Sequence, residues 1–268
     1  MELNEWKRML IPYEQAVEEL KIKFKGIRNE YRKLGEYSPI EFVTGRVKKI
    51  SSILEKAKKK QIPLTEIEEK IEDIAGIRIM CQFVKDINKV VELIRARDGK
   101  DLKIVEERDY IKNIKPSGYR SYHIIVLYPV QTAEGQKEIL TEIQIRTLAM
   151  NFWATIEHSL RYKYNKNMPD YIQQRLIKAA EAAFILDQEM AEIREEILKA
   201  EEQFRAKSNI VSDIFCNIHN LCSGGIEEAG ELYQKFWELW EEGDIEKLQD
   251  FNKKVDTLAE IYGAQKLM

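Results

Sequence analysis

KEILTEIQIRT (residues 137–147) decides how the chain is read. Ile139, Thr141, Ile143 and Ile145 fall on one side of an extended backbone, and Glu142, Gln144 and Arg146 fall on the other. Strand side chains alternate faces with a period of two, so this is a strand with one face for a core and one polar, charged face. Just upstream, RSYHIIVLYPV (120–130) reads as a partner strand, apolar in its middle and expected at the centre of a sheet. AEGQ (133–136) marks the hairpin between the two.

The same alternation recurs earlier in the chain. In EDIAGIRIMCQF (72–83), Ile77, Ile79, Cys81 and Phe83 alternate with Arg78, Met80 and Gln82, which predicts a half-buried strand. SPIE (38–41) resembles a helix capping box, but Val43 and Val47 alternate with polar neighbours around Gly45. Residues 41–48 therefore read as a strand whose even face carries Phe42, Thr44, Arg46 and Lys48. LKIVEERDY (102–110) supplies a fifth strand. Helical spacing predicts helices over residues 4–34, about 50–61, about 64–71, 86–97, about 148–163 and about 169–205, with two more over about 226–242 and 244–262. The fold class is α+β: a mixed sheet of about five strands flanked by helices, in a domain over 1–207, with an acidic helical extension over 208–268.

Composition narrows the classes. A third of the 268 residues are charged and 44% are hydrophobic, enough for a core and long solvated helices. No apolar run approaches the roughly 18–20 residues of a membrane span. MELNEWKRML is polar and lacks a signal-peptide core. Cys81, Cys216 and Cys222 form no CxxC pair, so a reducing cytoplasm is the expected setting. The net charge of −3 hides an asymmetry: residues 208–268 hold 12 acidic and 5 basic groups, while GRVKKISSILEKAKKK (45–60) has seven cations against one acid. A block of this kind is by default a solvated helix face; neighbouring phosphate-binding chemistry makes it a ligand surface.

Two carboxylates supply that chemistry. Asp73 precedes the 75–83 region and Glu142 lies in mid-strand, each accompanied by an arginine, Arg78 and Arg146. Taken singly, the acids read as a turn residue and a solvent-facing strand residue. Together, carboxylates for a hard cation and guanidiniums for phosphate are what a magnesium–nucleotide site requires. KPSGYRSYH (115–123) adds a loop with Lys115 for phosphate, Tyr119 for base stacking, Gly118 for close approach and His123 at the strand entrance. No GxxxxGK[ST], GxGxxG after a strand, HExxH or Cys/His cluster is present, which sets aside a P-loop, a dinucleotide fold and a zinc site.

EFVTGRVK, EDIAGIRIMCQF, RDYI, the KPSGYRSYH loop and EIQIRTLAMNFWATIEHSL together resemble the RelA/SpoT family, and within it the small, synthetase-only alarmone synthetases of the RelQ type, over about residues 3–206. The resemblance implies a nucleotidyltransferase-like sheet and a reaction in which a pyrophosphoryl group moves from ATP to the ribose 3′-hydroxyl of GTP or GDP. It implies that Asp73 and Glu142 bind Mg²⁺; that Arg46 and Arg78 sandwich adenine; and that Lys48, Ser52, Lys56 and Arg108 serve the ATP phosphates. Tyr119 would stack on guanine, with Lys115, His123, Gln144 and Asn151 completing the acceptor site. Relatives of this type are homotetramers activated by pppGpp at positions matching Lys21, Lys25, Arg28, Glu41, Phe42 and Thr44, and some bind single-stranded RNA. None of the three histidines is followed by Asp, so no hydrolase motif is expected. A catalytically silent nucleotide- or RNA-binding regulator with the same fold is the competing expectation. The extension after residue 207 departs from the family pattern.

Overall fold

The computed structural model describes residues 3–163 and 168–263. The chain divides into two compact units, Met1–Ala191 and Glu192–Met268. The first contains α1 (Leu3–Lys33), β1 (Phe42–Val47), α2 (Ile50–Lys60), a short turn of 3-10 helix at Leu64–Glu66 leading into α3 (Ile67–Lys70), β2 (Ala75–Cys81), α4 (Val84–Arg95), β3 (Lys103–Asp109), β4 (Tyr122–Thr132), β5 (Gly135–Thr147) and α5 (Leu148–Lys163). α6 (Asp170–Ser223) begins in this unit and continues into the second, which also holds α7 (Ala229–Glu242) and α8 (Ile245–Ile261).

The five strands form one mixed sheet in the order β1-β2-β5-β4-β3. β2 and β5 run parallel, and the other neighbours are antiparallel. α1 and α4 pack on the sheet. Against them lie the odd-numbered side chains of β2 and β5, with Ile77, Ile79, Ile143 and Ile145 all fully buried. Each such side chain contributes about 1.5–3 kcal/mol relative to exposure. SPIE forms no helix cap: the Ser38 hydroxyl accepts from the Ile40 N–H and the chain enters β1.

Three expectations are corrected. The central strand is β5, and β4 lies beside it. The apolar run of β4 reflects cover on both faces of its middle, which a neighbour of the central strand can have as readily as the centre itself. β2 starts at Ala75 and ends at Cys81, because Phe83 already flanks the first turn of α4. α6 does not stop near 205: it runs 54 residues without a break, through the expected boundary after 207. Neither glycine nor proline lies between Asp170 and Ser223 to end it.

The second unit has its own core. Ile214, Ile218 and Leu221 of α6 pack with Phe236 and Leu239 of α7 and with Leu248, Phe251 and Val255 of α8. Gly243 closes α7 in the left-handed region, and the Asp244 carboxylate caps α8 by accepting from the Glu246 and Lys247 N–H groups. None of the three cysteines is in a disulfide. Among the described residues no helix is long and apolar enough to cross a membrane.

Gly45 sets how closely α1 approaches β1. A Cβ there would lie 2.7 Å from Val17 Cγ1 and 3.0 Å from Ile77 Cδ1. Gly45→Ala is therefore expected to destabilise by about 1–3 kcal/mol, the usual range for overpacking. A thermal unfolding curve matching wild type would show that the helix yields without cost.

Candidate active site

Register across the sheet builds the site. Thr44 of β1 pairs with Arg78 of β2, Arg78 with Gln144 of β5, Gln144 with His123 of β4, and His123 with Arg108 of β3. One residue from each strand thus forms a line across all five. The next line runs Arg46, Gly76, Glu142, Ile125 and Glu106. Both lines lie on the face opposite the buried isoleucines of β2 and β5.

Thr44, Gly45, Arg46, Asp73, Gly76, Ile77, Arg78, Glu142 and Gln144 line a cleft of about 150 Å³ on this face. Gly76 leaves its floor open: the nearest atom to a Cβ built there is the Arg46 carbonyl oxygen, 3.7 Å away. Asp73 enters from the turn before β2. Its carboxylate accepts from Lys48 Nζ and from Lys56 Nζ of α2, each at 2.7 Å. Burial pushes the Asp73 carboxyl up, but the two ammonium groups outweigh it and hold it below its ordinary value. Arg78 has the opposite difficulty. Burial, and then the neighbouring guanidiniums of Arg146 and Arg46, work against its charge. The cleft thus crowds cations that an anionic ligand would relieve.

A hydrogen-bonded chain joins the cleft to the 115–119 loop. Arg146 Nη2 donates to the Tyr119 hydroxyl at 2.6 Å and to Gln144 Oε1 at 2.5 Å. The Tyr119 hydroxyl lies 2.8 Å from His123 Nε2, and His123 Nδ1 lies 2.9 Å from Glu142 Oε1. Burial lowers the His123 pKa, more strongly than the Glu142 carboxylate raises it, so the ring is neutral at pH 7. A neutral ring facing a carboxylate carries its proton on Nδ1, leaving Nε2 to accept from Tyr119. Glu142 also accepts from Gln144 Nε2 at 2.6 Å. Burial raises its pKa, yet His123 and Gln144 together bring it below the ordinary value.

The loop itself is held from behind. Gly118 has φ +84°, a conformation few side chains adopt, and a Cβ there would sit 2.7 Å from Ala180 Cβ of α6. Arg120 is buried and donates to Glu181 Oε2 at 2.6 Å and to the carbonyls of Ala180 and Gly118, with its guanidinium 4.4 Å over the Phe184 ring. On the open side, Lys115 Nζ rests 4.0 Å over the Tyr110 ring and 5.0 Å over the Tyr119 ring. The Thr147 hydroxyl accepts the Met150 N–H and so caps α5, the helix that carries Asn151. The side-chain oxygen of Asn151 is buried and has no hydrogen-bond partner.

The expected residues fall into groups. Arg46, Arg78, Asp73, Glu142 and Gln144 share the cleft; Lys48 and Lys56 reach it through Asp73; His123 and Tyr119 join it through Glu142 and Arg146. Arg108 is engaged by Glu72 at 2.8 Å and by Glu106. Ser52 is half-buried on α2, one turn before Lys56. Of the six expected effector residues, Arg28 Nη1 donates to the Glu41 carbonyl at 3.2 Å and Lys21 pairs with Glu18 at 2.7 Å. Lys25 and Phe42 are exposed, and Thr44 lines the cleft beside Arg46. Arg146, expected beside Glu142 as a phosphate-directed cation, lies on the face that the alternation of β5 gives it; Tyr110 joins the site without having been assigned a role.

Magnesium fits the donor set. Asp73 and Glu142 offer hard carboxylate oxygens to one cleft, and among the described residues no group of three or more His, Cys, Asp or Glu side chains forms a self-sufficient metal cage. Two carboxylates completed by phosphate oxygens is the usual arrangement for this ion.

Asp73 gives a pH signature. Its folded pKa lies below the ordinary 3.8, so its contribution to stability is full above that value and is lost as pH falls through the folded one. Denaturant unfolding is expected to show wild-type stability falling more steeply than that of Asp73→Asn below about pH 4. Parallel curves would remove the lysine pairing from the account.

Residues 45–167 match the family model described as a region found in RelA / SpoT proteins. The GTP pyrophosphokinase YjbM of Bacillus subtilis is 60% identical over 207 residues, covering 77% of this chain and 97% of that protein. The crystal structure of the small alarmone synthetase 1 from Bacillus subtilis bound to its product pppGpp superposes with a TM-score of 0.69 at 63% identity, covering 72% of this chain and 98% of that one. The same synthetase bound to AMPCPP gives 0.64 at 58% identity, covering 73% and 98%. On sequence and structure alike, the chain belongs to the RelA/SpoT family.

Proposed function

We propose that this chain is a GTP pyrophosphokinase, a (p)ppGpp synthetase without hydrolase activity that transfers a pyrophosphoryl group from ATP to the 3′-hydroxyl of GTP or GDP. The observation that carries the reading is the pair of carboxylates set among cations in one cleft, joined through His123 to an aromatic loop. Relatives related over nearly their whole length are described bound to pppGpp and to AMPCPP, which fits a product or acceptor on one side and an ATP analogue on the other.

The roles implied by the resemblance suit these positions. Arg46 and Arg78 flank the cleft and can enclose adenine between guanidinium planes. Lys48 and Lys56, paired with Asp73, lie where they can serve the ATP phosphates together with Ser52; Arg108 can trade its carboxylate partners for the same purpose. Tyr119 offers its ring to guanine, Lys115 its charge to the acceptor phosphates, and Asn151 its unpaired oxygen to a ligand N–H. Asp73 and Glu142 would hold Mg²⁺, which when bound would neutralise charge on the transferred phosphates.

In the reaction the ribose 3′-oxygen bonds to the β-phosphorus of ATP, and the bond from that phosphorus to the oxygen bridging to the α-phosphate breaks, releasing AMP. The hydroxyl proton passes to the Glu142 carboxylate. The low pKa of Glu142 makes it a weak base on its own, so proton transfer accompanies the bond formation that acidifies the hydroxyl. His123 keeps Glu142 oriented through its Nδ1–H. The main contribution of the protein is to align two polyanions and cancel their repulsion.

Regulation extends the same reading. The effector residues Lys21, Lys25, Arg28, Glu41 and Phe42 are spread over α1 and the edge strand, as a cleft completed by further copies in a homotetramer would require. Thr44 and Arg46 then link that cleft to the catalytic one along β1. A cytoplasmic setting suits the substrates and the unpaired thiols.

Incubation with Mg²⁺, ATP and GTP is expected to yield AMP and pppGpp in equal amounts. Glu142→Gln should abolish both while leaving the circular dichroism spectrum unchanged; full activity in that variant, or no product from wild type, would sink the reading in favour of a silent nucleotide- or RNA-binding regulator. Added pppGpp should stimulate wild type and leave Lys25→Ala little changed. Equal stimulation of both would take Lys25 out of the effector site.

A further inference from the structure

Roughly a quarter of the chain lies outside its alignment with the Bacillus subtilis synthetase, although nearly all of that protein is covered. The sequence resemblance ends near residue 206, so the α6 end, α7 and α8 need not serve the shared reaction. That unit buries its own core, yet α7 leaves large aromatics outside it. Tyr233, Trp237 and Trp240 recur at helical spacing and stay 43%, 44% and 38% exposed. They are fixed in place by edge contacts: Phe215 lies 5.7 Å from Tyr233 and 6.3 Å from Trp237, and Phe236 stacks on Trp240 at 6.2 Å. Rigid, half-exposed indole and phenol rings of this kind mark interaction surfaces more often than packing defects.

Charge identifies the occupant. Residues 227–246 hold eight carboxylates and one lysine, Lys235, which is already paired with Glu238 at 2.7 Å. Glu241 follows Trp237 by one helical turn and is exposed. The face also accepts a cation from within its own unit: Lys207 Nζ of α6 lies 4.4 Å over the Trp240 ring. Acidic surroundings and half-exposed aromatic rings recognise the same group, an ammonium or guanidinium on an apolar stem. From this we infer that the α7 face is a docking site for a lysine- and arginine-rich segment of a protein partner, with a cationic side chain lying on Trp237 beside the Lys207–Trp240 contact and the incoming charges met by the surrounding glutamates. The acid excess repels polyanions, so nucleic acid is the wrong partner for this face. The inference stands apart from the catalytic reading, since no residue of the synthetase cleft takes part.

The test uses the full-length chain and a labelled, lysine-rich helical peptide, followed by fluorescence anisotropy. The peptide should bind, its glutamate-substituted counterpart and a single-stranded RNA should not bind at this face, and rising salt should weaken the complex. Trp237→Ala/Trp240→Ala should weaken binding about tenfold or more. Because these rings also pack on Phe215 and Phe236, a second variant, Glu238→Lys/Glu241→Lys, changes only exposed side chains and the exposed Lys235–Glu238 pair, and should weaken binding while leaving synthesis from ATP and GTP at the wild-type rate. Absence of peptide binding, or equal affinity in wild type and the charge-reversed variant, would overturn the proposal. Retention of full affinity in a folded double-tryptophan variant would overturn the role of the aromatic face.

Discussion

The rest of the site depends on the register of β5 between its two neighbours. Ile143 and Ile145 are locked into the core, which commits Glu142, Gln144 and Arg146 to the opposite face. A one-residue slip would reverse every side chain on the strand, placing two isoleucines in the cleft and a carboxylate among the isoleucines of β2. The hydrophobic burial that stabilises the sheet is therefore the same constraint that aims the chemistry. It works across two kinds of pairing, parallel to β2 and antiparallel to β4, so residues distant in sequence arrive in lines.

Electrostatics explains why those lines hold together. The region gathers Arg46, Lys48, Lys56, Arg78, Arg108 and Arg146, an arrangement that would repel itself if left uncompensated. Asp73 answers Lys48 and Lys56, Glu72 and Glu106 answer Arg108, and the hydroxyl of Tyr119 and the amide of Gln144 occupy Arg146. Arg78 is only weakly compensated, hydrogen-bonded to Gln144 at 3.3 Å and pressed by its neighbours. Partners of this kind can be exchanged for phosphate at modest cost, because each cation trades one oxygen acceptor for another.

Local pattern was a good guide where one physical signal dominated. Period-two alternation placed β1, β2 and β5, an apolar run placed β4, and helical spacing placed the helices around them. It misled where a signal had two causes. The apolar run of β4 marks burial on both faces, which local pattern does not distinguish from a central position. Helical spacing predicts that the long polar helix ends near 205, although no residue there stops a helix. Among site residues, Asp73, Glu142 and the KPSGYRSYH loop stood out by residue type. Tyr110 did not, since only the fold brings it beneath Lys115 and beside His123 at 5.0 Å. Nor did the role of Gly76 as an open floor, which depends on lying in line with Arg46 and Glu142.

Sequence alone determined the class of the fold, the alternation that separates core from site, the family, and the chemical inventory of the cleft, because each of these is written in residue type and spacing within a few neighbours. Tertiary structure decided the strand order, the lines of side chains across the sheet, the pairing of Asp73 with two lysines, and the proton placement along Tyr119, His123 and Glu142. Those follow from contacts between segments far apart in the chain, whose energies local spacing does not encode. The same division holds in the second unit: its acidity was plain in the sequence, but that Tyr233, Trp237 and Trp240 remain outside its core was settled only when Phe236 and Leu239 packed against α6 and α8.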